Sequence, residues 1–302
     1  MSTLVSSASS APRTGALAPL VLMCLAATWL VWGSTYLAIK FALVSFPPFF
    51  QMGTRFLVAG AALMAWMRWR GAPWPTRRQW LHALAIGTLM LGGGMGGTAY
   101  AELTVGSGLV VAFIAVVPLL IAALNLIWDV VPRRIEAAGI ALGLVGVVLL
   151  TQGAGFGASP AGLAAIAIAC LTWSLGSVLS QRRWPLAPGA IGFASEMICG
   201  GIVLLLISAA QHERPQWPPQ ASAVAAWVYL VVFGSLIAFN AYMLLLARAS
   251  AALASSYTFV NPVIAMLLGV VVAGETVTPY EWSAVGIVLA GVLLLLWRRS
   301  GR

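Results

Sequence analysis

Charged and chemically reactive side chains are scarce in this chain of 302 residues. Only 8% of the residues are Asp, Glu, Lys or Arg, and the chain has two histidines, seven carboxylates and three cysteines. These residues show no metal-ligand spacing, and no G-x-x-x-x-G-K sequence for nucleotide phosphates occurs. We therefore expect no metal, no cofactor and no catalytic residue. The cysteines fall in apolar segments without C-x-x-C spacing, which predicts free thiols.

Apolar residues, in contrast, are abundant. They make up 61% of the chain, with a mean hydropathy of +0.98, so the chain is too apolar for a water-soluble globule. Ten apolar stretches are separated by short connections, and most have about 18 to 26 residues, enough to cross a hydrocarbon core of about 30 Å. They lie at residues 17–39, 47–67, 80–101, 104–127, 135–152, 160–181, 189–210, 221–246, 250–273 and 280–297.

The two halves of the chain carry the same landmarks in the same order. Residues of the first half recur in the second with offsets between 141 and 147. The corresponding pairs are Trp32 and Trp173, Arg55 and Glu196, Gly60 and Gly201, Gly87 and Gly234, Pro118 and Pro262, Glu136 and Glu281, and Gly146 and Gly291. Because five spans is an odd number, the second unit must enter the membrane from the opposite side. The predicted fold is all-α and polytopic, with ten transmembrane helices in two inverted five-helix repeats, an arrangement typical of secondary transporters.

These patterns also predict the domain boundaries and the topology. Residues 1–16 are predicted to be a disordered cytoplasmic tail, 17–152 the first repeat, 160–297 the second repeat and 298–302 a basic cytoplasmic tail. The net charge of +9 does not indicate a nucleic-acid partner, because the basic residues gather where one side of the membrane is expected. With both termini cytoplasmic, that side holds Arg13, Arg68, Arg70, Arg77, Arg78, Arg133, Arg134, Arg182, Arg183, Arg248, Arg298, Arg299 and Arg302.

Aromatic and amide side chains within the spans are the candidates for a solute-binding cavity. Placing such groups against lipid costs free energy, so they are expected to face protein or water. Aromatic rings also provide a surface for an apolar or ring-bearing solute. The alternative for the tryptophans is ordinary helix packing or an interfacial aromatic belt. The predicted lining residues are Trp32, Tyr36, Tyr100, Trp173, Asn240, Tyr257 and Asn261.

Other residues are candidates for backbone movement, for proton coupling or for a structural charge. Pro118 and Pro262 are expected near mid-membrane, where a proline kinks a helix. Gly92, Gly93, Gly94, Gly96 and Gly97 indicate either close helix packing or a flexible gate. Glu102 is a candidate for proton coupling, or else an ordinary carboxylate at a helix end. Arg55 and Glu196 are predicted to be structural charges that lie in opposite halves of the membrane and do not pair.

Several short motifs together resemble the EamA branch of the drug/metabolite transporter superfamily. The resemblance covers nearly the whole chain after its first residues. It rests on Trp32-Gly33-Ser34-Thr35-Tyr36, Gly53-Thr54-Arg55-Phe56-Leu57, Ala101-Glu102, Val105-Gly106-Ser107-Gly108, Val117-Pro118-Leu119, Gly234-Ser235-Leu236, Ser256-Tyr257, Val260-Asn261-Pro262-Val263 and Gly274-Glu275-Thr276. The chain departs from that pattern at Asp129-Val130, where Gly-Glu is usual, and at Gly106, where proline is frequent.

The resemblance implies a ten-span exporter of small metabolites such as amino acids, or of foreign compounds, in a bacterial inner membrane. Its expected partners are a small-molecule substrate and the lipid bilayer, as a monomer or a homodimer. The alternative is a membrane-embedded enzyme or a sensor without transport activity. An enzyme would need clustered acid, base or nucleophile residues, which two distant histidines and seven scattered carboxylates do not provide.

Overall fold

The computed structural model describes residues 19–105, 110, 113–151, 159–273 and 278–296. Every regular element in this part of the chain is helical. The α-helices are α1 (Pro19–Leu43), α2 (Pro48–Trp69), α3 (Arg77–Gly87), α4 (Gly97–Ala101), α5 (Val117–Asn125), α6 (Arg134–Thr151), α7 (Pro160–Arg182), α8 (Ala190–Ala210), α9 (Ala221–Tyr229), α10 (Asn240–Arg248), α11 (Ala251–Ala254), α12 (Tyr257–Ala273) and α13 (Pro279–Leu296). Two π-helical segments, π1 (Thr88–Gly96) and π2 (Leu230–Phe239), continue α3 into α4 and α9 into α10.

Four of these helical segments are long and apolar enough to cross a membrane, judged by length and composition over the described residues. They are Pro19–Leu43, Pro160–Arg182, Ala190–Ala210 and Ala221–Arg248, and Val117–Trp128 and Trp282–Leu295 are shorter apolar helices. The protein is therefore an all-helical membrane protein.

Local signals set where several helices begin. Thr76 caps α3 in a capping box, since its hydroxyl accepts from the Gln79 backbone N–H and its own N–H donates to the Gln79 side chain. Ser159 accepts from the Gly162 N–H at the start of α7 over 3.0 Å. Such caps satisfy backbone N–H groups that the first helical turn leaves without a partner.

The most extensive packing joins helices from the two halves of the chain. Helix α2 lies along α8, α6 lies along α13, and the π1 segment lies along α7, while α1 packs against α12 and the α9–π2–α10 segment. Glycines allow this approach. A Cβ added at Gly60 would lie 2.9 Å from the Ile198 nitrogen, and one at Gly201 would lie 2.8 Å from the Leu57 nitrogen. Small residues at these contacts bring the two backbones together.

Four predicted spans differ from the observed helices. The third and eighth stretches are helical throughout but carry π1 and π2 in their middle. In the fourth stretch, a turn at 115–116 separates the helical residues 113–114 from helix α5, which starts at Val117. The ninth is divided by a turn at Ser255–Ser256 into α11 and α12.

Pro118 lies just after the turn at 115–116, which separates the helical residues 113–114 from α5, and its role as a hinge stays a prediction. Pro118 lies in the first turn of α5, where a helix leaves the backbone N–H without a partner anyway, so a proline there removes no helical hydrogen bond. Pro262, in contrast, does lie inside a helix, α12.

Several sequence predictions fall outside the described residues. They concern the tails at 1–16 and 298–302, the motifs at Gly106–Gly108 and Gly274–Thr276, and the side chain of Glu281.

Candidate functional site

Four buried aromatic rings from α1, α7, α10 and α12 meet in the centre of the helix bundle. The Trp32 ring centroid lies 5.7 Å from that of Trp173 and 4.7 Å from that of Tyr257, with the rings edge to face. Tyr242 completes the group at 5.3 Å from Trp32 and 5.5 Å from Tyr257. We call these four residues the aromatic cluster. Edge-to-face pairs at these distances are the geometry that aromatic rings prefer.

Hydrogen bonds fix the polar edges of the aromatic cluster. The Trp32 Nε1 donates to the Gly234 carbonyl over 3.2 Å, and the Trp173 Nε1 donates to the Tyr242 hydroxyl over 3.2 Å. Ser177 donates its own proton to the Trp173 carbonyl, so the Tyr242 hydroxyl donates to Ser177 Oγ, 2.9 Å away. Each polar group of these three rings therefore has a partner, which holds the rings in one arrangement.

A small cavity of about 50 Å³ lies beside the aromatic cluster. Among the described residues that line it, none carries a charged side chain. They are Trp32, Thr35, Tyr36, Ile39, Gly94, Met95, Thr98, Ile114, Val117, Ala169, Cys170, Trp173, Tyr257 and Asn261. This volume admits a water molecule or two but not an organic solute, so the cavity has to widen to hold one.

Asn261 is the notable polar group of this cavity. Its side chain is 1% exposed, and neither amide atom makes a hydrogen bond of normal geometry, although the Tyr36 hydroxyl lies beside it. A buried amide without partners is unfavourable by about 1–3 kcal/mol. Asn261 thus places its amide in the cavity lining, next to the Tyr36 hydroxyl.

A much larger open vestibule lies on one side of the aromatic cluster. Its volume is about 660 Å³, and its lining includes Pro118, Asn125, Phe193, Met243 and Arg248. Two of these, Pro118 and Met243, directly follow residues of the small cavity and of the aromatic cluster in the sequence. The vestibule therefore reaches residues next in sequence to the small cavity and the aromatic cluster, although the two linings share no residue. It opens where Arg133, Arg182 and Arg248 lie, which we call the arginine-rich end.

The opposite end is held together by the loop at residues 211–220. Its Glu213 carboxylate accepts from the backbone N–H groups of Phe49 and Phe50, at 3.1 and 2.7 Å, at the start of α2. The Gln216 and Gln220 backbone N–H groups donate to the carbonyl and the hydroxyl of Ser45, at 2.8 and 3.0 Å. These four hydrogen bonds fasten the loop across the turn between α1 and α2.

Arg55, Glu102 and Glu196 are buried and do not pair with each other. Arg55 is 1% exposed, its Nε donates to Ser235 Oγ over 2.7 Å, and its guanidinium lies 4.8 Å from the Phe56 ring centroid. Glu196 and Glu102 are also buried, and no carboxylate oxygen of either has a hydrogen-bond partner among the described residues. Glu102 follows Thr98 by one helical turn, so it lies just beyond the small cavity, within electrostatic range of Lys40 and Tyr36.

The structure brings five of the seven predicted lining residues to one place. Trp32, Tyr36, Trp173, Tyr257 and Asn261 all line the small cavity. Tyr100 and Asn240 lie apart from it.

Tyr100 is 36% exposed and stacks on Phe49 at 5.8 Å. Asn240 donates to the Leu236 carbonyl of its own helical segment over 2.9 Å. Tyr242 was expected from the sequence to face a partner or a wet cavity, but it was not among the predicted lining residues.

Gly93 and Gly94 of π1 lie against α7, and Gly92 and Gly96 lie against α8. A Cβ added at Gly93 would lie 2.6 Å from Thr172 Oγ1, and one at Gly94 would lie 3.0 Å from the Trp173 ring. Of the two sequence alternatives, close packing is therefore present. The π-helical backbone is also unusual, and such segments are frequent at functional sites.

A buried aromatic cavity at the base of an open vestibule, inside an all-helical membrane protein, is the arrangement of a membrane transporter. Residues 18–152 and 160–297 each match the EamA-like transporter family. The chain belongs to this family, and it is a transporter rather than an enzyme.

Relatives of known name agree with this assignment. The chain is 39% identical over 270 residues to the uncharacterized inner membrane transporter YedA of Escherichia coli K12, covering 89% of this chain and 88% of that protein. It is 28% identical over 308 residues to an uncharacterized transporter of Synechocystis, covering 92% and 90%. A solved crystal structure superposes with a TM-score of 0.73 over 91% of this chain and 95% of the other, and at 23% identity it shows the shared fold.

Proposed function

We propose that the protein is a secondary transporter that exports small organic solutes, such as amino acids or foreign compounds, across a bacterial inner membrane by alternating access. The observation that carries this proposal is the position of the aromatic cluster. It lies between an open vestibule of about 660 Å³ and an end that the 211–220 loop holds together. A central site open to one end only is what one state of an alternating-access cycle requires.

Ten spans in two inverted five-helix repeats, with the boundaries predicted from the sequence, form part of this proposal. Two observations support it. The family matches the chain twice, at 18–152 and 160–297. The helix packing is also paired, because α2–α8 and α6–α13 join equivalent helices of the two halves, and the contact of α1 with the α9–π2–α10 segment has its equivalent in that of α7 with α3, π1 and α4.

Export is the direction that the resemblance to the family implies, and the charge distribution gives the orientation of the vestibule. Arginines gather at the end where the vestibule opens, and the positive-inside rule places such an end, and both termini, in the cytoplasm. The structure then corresponds to an inward-open state, which receives solute from the cytoplasm. An uncharged or zwitterionic molecule with an apolar part fits a lining of aromatic rings, hydroxyl groups and the Asn261 amide.

Two further roles belong to the mechanism we propose. Glu102, whose buried carboxylate has no hydrogen-bond partner among the described residues, exchanges a proton as the solute passes. The π1 glycines and Pro262 allow the backbone to adjust when the cavity widens, whereas Pro118 at a helix start marks the edge of the vestibule. Because α2 and α8 touch backbone to backbone, we propose that they move as one unit.

Transport into proteoliposomes tests this function. Purified protein is reconstituted and screened with labelled neutral and aromatic amino acids, sugars and a lipophilic cation, with and without a pH gradient. Saturable flux that Asn261→Ala lowers at least tenfold supports the proposed site. A matched control is Asn240→Ala, since Asn240 lies outside the cavity lining and should retain most of the flux. Absence of flux for every class from folded protein would contradict the proposal.

A further inference from the structure

A second, separate pocket lies at the arginine-rich end of the molecule. It has a volume of about 300 Å³ and is lined by Arg78, His82, Arg182, Arg183 and Trp184. Arg78 and His82 come from the first turns of α3, and the other three residues come from the end of α7 and the residue pair that follows it. Three guanidinium groups from two helices therefore converge on one space.

None of these three arginines forms an ion pair among the described residues. The ion pair found at this end joins Arg133 to Glu136 over 3.1 Å. The described part of this end holds nine arginines but only two carboxylates, Asp129 and Glu136. The pocket thus keeps a concentrated positive charge that the protein itself does not neutralise, which is the condition for binding an anion.

The other two side chains of the pocket, His82 and Trp184, form its walls. His82 Nδ1 lies 2.9 Å from the Pro185 carbonyl, an acceptor, so this nitrogen carries the proton and Nε2 stays free toward the pocket. Trp184 is half-buried and packs against the hydrophobic core. A fixed imidazole edge and an indole wall therefore bound the space between the guanidinium groups.

The pocket lies at the level of the membrane surface. Trp66, Trp69 and Trp74 at the same end have exposed rings, and tryptophans favour the boundary between headgroups and hydrocarbon. Below the pocket, Leu81 and Leu84 of α3 are 58% and 44% exposed and extend away from Arg78 along the helix. An anion that carries a hydrocarbon chain could place its charge among the arginines and its chain along these leucines.

We propose that this pocket binds the phosphate headgroup of an anionic phospholipid from the leaflet at the arginine-rich end. Arginine matches phosphate oxygens with paired N–H donors, and basic pockets between transmembrane helices are suited to anionic headgroups. The lipid would join the start of α3 to the end of α7. These helices frame the π1 segment, so the bound lipid would stabilise the part of the bundle that surrounds the aromatic cavity.

Native mass spectrometry of the purified full chain tests this site. The protein is titrated with phosphatidylglycerol and, separately, with phosphatidylcholine, and the bound fractions are compared. The variant Arg78→Gln/Arg182→Gln/Arg183→Gln should bind phosphatidylglycerol on the order of a hundredfold more weakly, at about fivefold for each arginine. Binding of phosphatidylcholine should change less than threefold.

A matched variant separates the pocket from general surface charge. Arg70→Gln/Arg77→Gln/Arg134→Gln removes the same charge from the same end but leaves the pocket intact. It should bind phosphatidylglycerol at least tenfold more tightly than the pocket variant, because Arg70, Arg77 and Arg134 do not line the pocket and so leave its paired N–H donors in place. An equal loss in both triple variants would overturn the proposal.

A soluble ligand is distinguished by competition. Millimolar inorganic phosphate should leave phosphatidylglycerol bound, because the lipid also gains the contact of its chain. Complete displacement by inorganic phosphate would assign the pocket to a soluble phosphate anion and overturn the lipid site. If the triple variant fails to fold, Arg78→Gln and Arg183→Gln are measured singly, and an unchanged affinity in both contradicts the proposal.

Discussion

Arg55 on α2 donates a hydrogen bond from Nε to Ser235 Oγ on π2 over 2.7 Å, and both residues are buried. The guanidinium also lies against Gly234, where an added Cβ would come 2.7 Å from Nη2. A cation in the interior without a carboxylate partner depends on such bonds, because its desolvation is costly. The motif Gly234-Ser235 is therefore fitted to Arg55, with the glycine leaving space and the serine accepting the bond.

The first prediction concerns Ser235. Ser235→Ala should lower the free energy of unfolding by about 1–3 kcal/mol, because it leaves the Arg55 Nε buried without its partner. Thermal unfolding in detergent, followed by circular dichroism, measures the change. Ser283→Ala is the control, since Ser283 bonds only within its own exposed helical turn. Equal stability of the two variants would show that the Arg55 bond contributes little.

The second prediction concerns the glycine contact of α2 with α8. Gly60→Ala should destabilise the protein by about 1–3 kcal/mol, since the new Cβ would lie 2.9 Å from the Ile198 nitrogen and force the helices apart. Gly286→Ala on α13 is the matched control, because nothing lies within 4 Å of its Cβ position and alanine favours the helix. The unfolding temperature should fall for Gly60→Ala and hold or rise for Gly286→Ala.

The third prediction concerns the aromatic cluster. Trp32→Phe should reduce kcat/KM for transport on the order of tenfold, since it removes the Nε1–Gly234 bond and part of the wall of the cavity. Initial rates in proteoliposomes measure the effect. Trp66→Phe exchanges the same side chains at an exposed position and should change the rate less than twofold. A similar loss in both variants would place the effect outside the cavity.

The fourth prediction concerns proton coupling. Glu102→Gln cannot release a proton, so it should abolish accumulation driven by a pH gradient while leaving exchange of labelled for unlabelled solute intact. Glu213→Gln is the control carboxylate, because Glu213 caps α2 instead of facing the cavity. If the pH gradient still drives accumulation by Glu102→Gln, the coupling site lies elsewhere.

The fifth prediction concerns the loop that holds the opposite end. A disulfide between Ser45→Cys and Gln216→Cys, built in a chain without the three native cysteines, should block flux until a reductant is added. The reason is that the Gln216 N–H already bonds to the Ser45 carbonyl over 2.8 Å, and alternating access requires this contact to open. Full flux through the oxidised variant would mean that the solute does not leave between these two segments.

Much of the fold follows from the sequence, because lipid requires long apolar helices and each landmark residue recurs at a nearly constant offset. The helix bounds agree closely where a span is one α-helix, as in α2 or α7. The irregular spans could not be predicted in detail. Glycine and proline show that the backbone is unusual near Gly92 and Pro118, but whether it becomes a π-helix or a new helix start depends on neighbours such as Thr172.

The candidate site was predictable to a similar degree. Polar and aromatic side chains are unfavourable against lipid, and this led to the prediction that Trp32, Trp173, Tyr257 and Asn261 line a cavity. The structure places all four together. The same reasoning also indicated Asn240 and Tyr100, which lie apart from the cavity, where the Asn240 amide nitrogen donates to the Leu236 carbonyl and the Tyr100 ring stacks on Phe49. To separate the true lining residues from the others, one must know which face of each helix points into the bundle. A fully apolar span has no polar face that would indicate this orientation.

The two π-helical segments offer the bundle two points of rotation. In a π-helix each backbone hydrogen bond joins residues five positions apart, whereas in an α-helix it joins residues four apart. Converting such a segment to α-helix would therefore rotate the residues beyond it about the helix axis. Both segments touch the centre, as π1 contributes Gly94 to the cavity and π2 offers its Gly234 carbonyl to Trp32. A twist of either segment would thus turn the wall of the cavity without unfolding the helix that carries it.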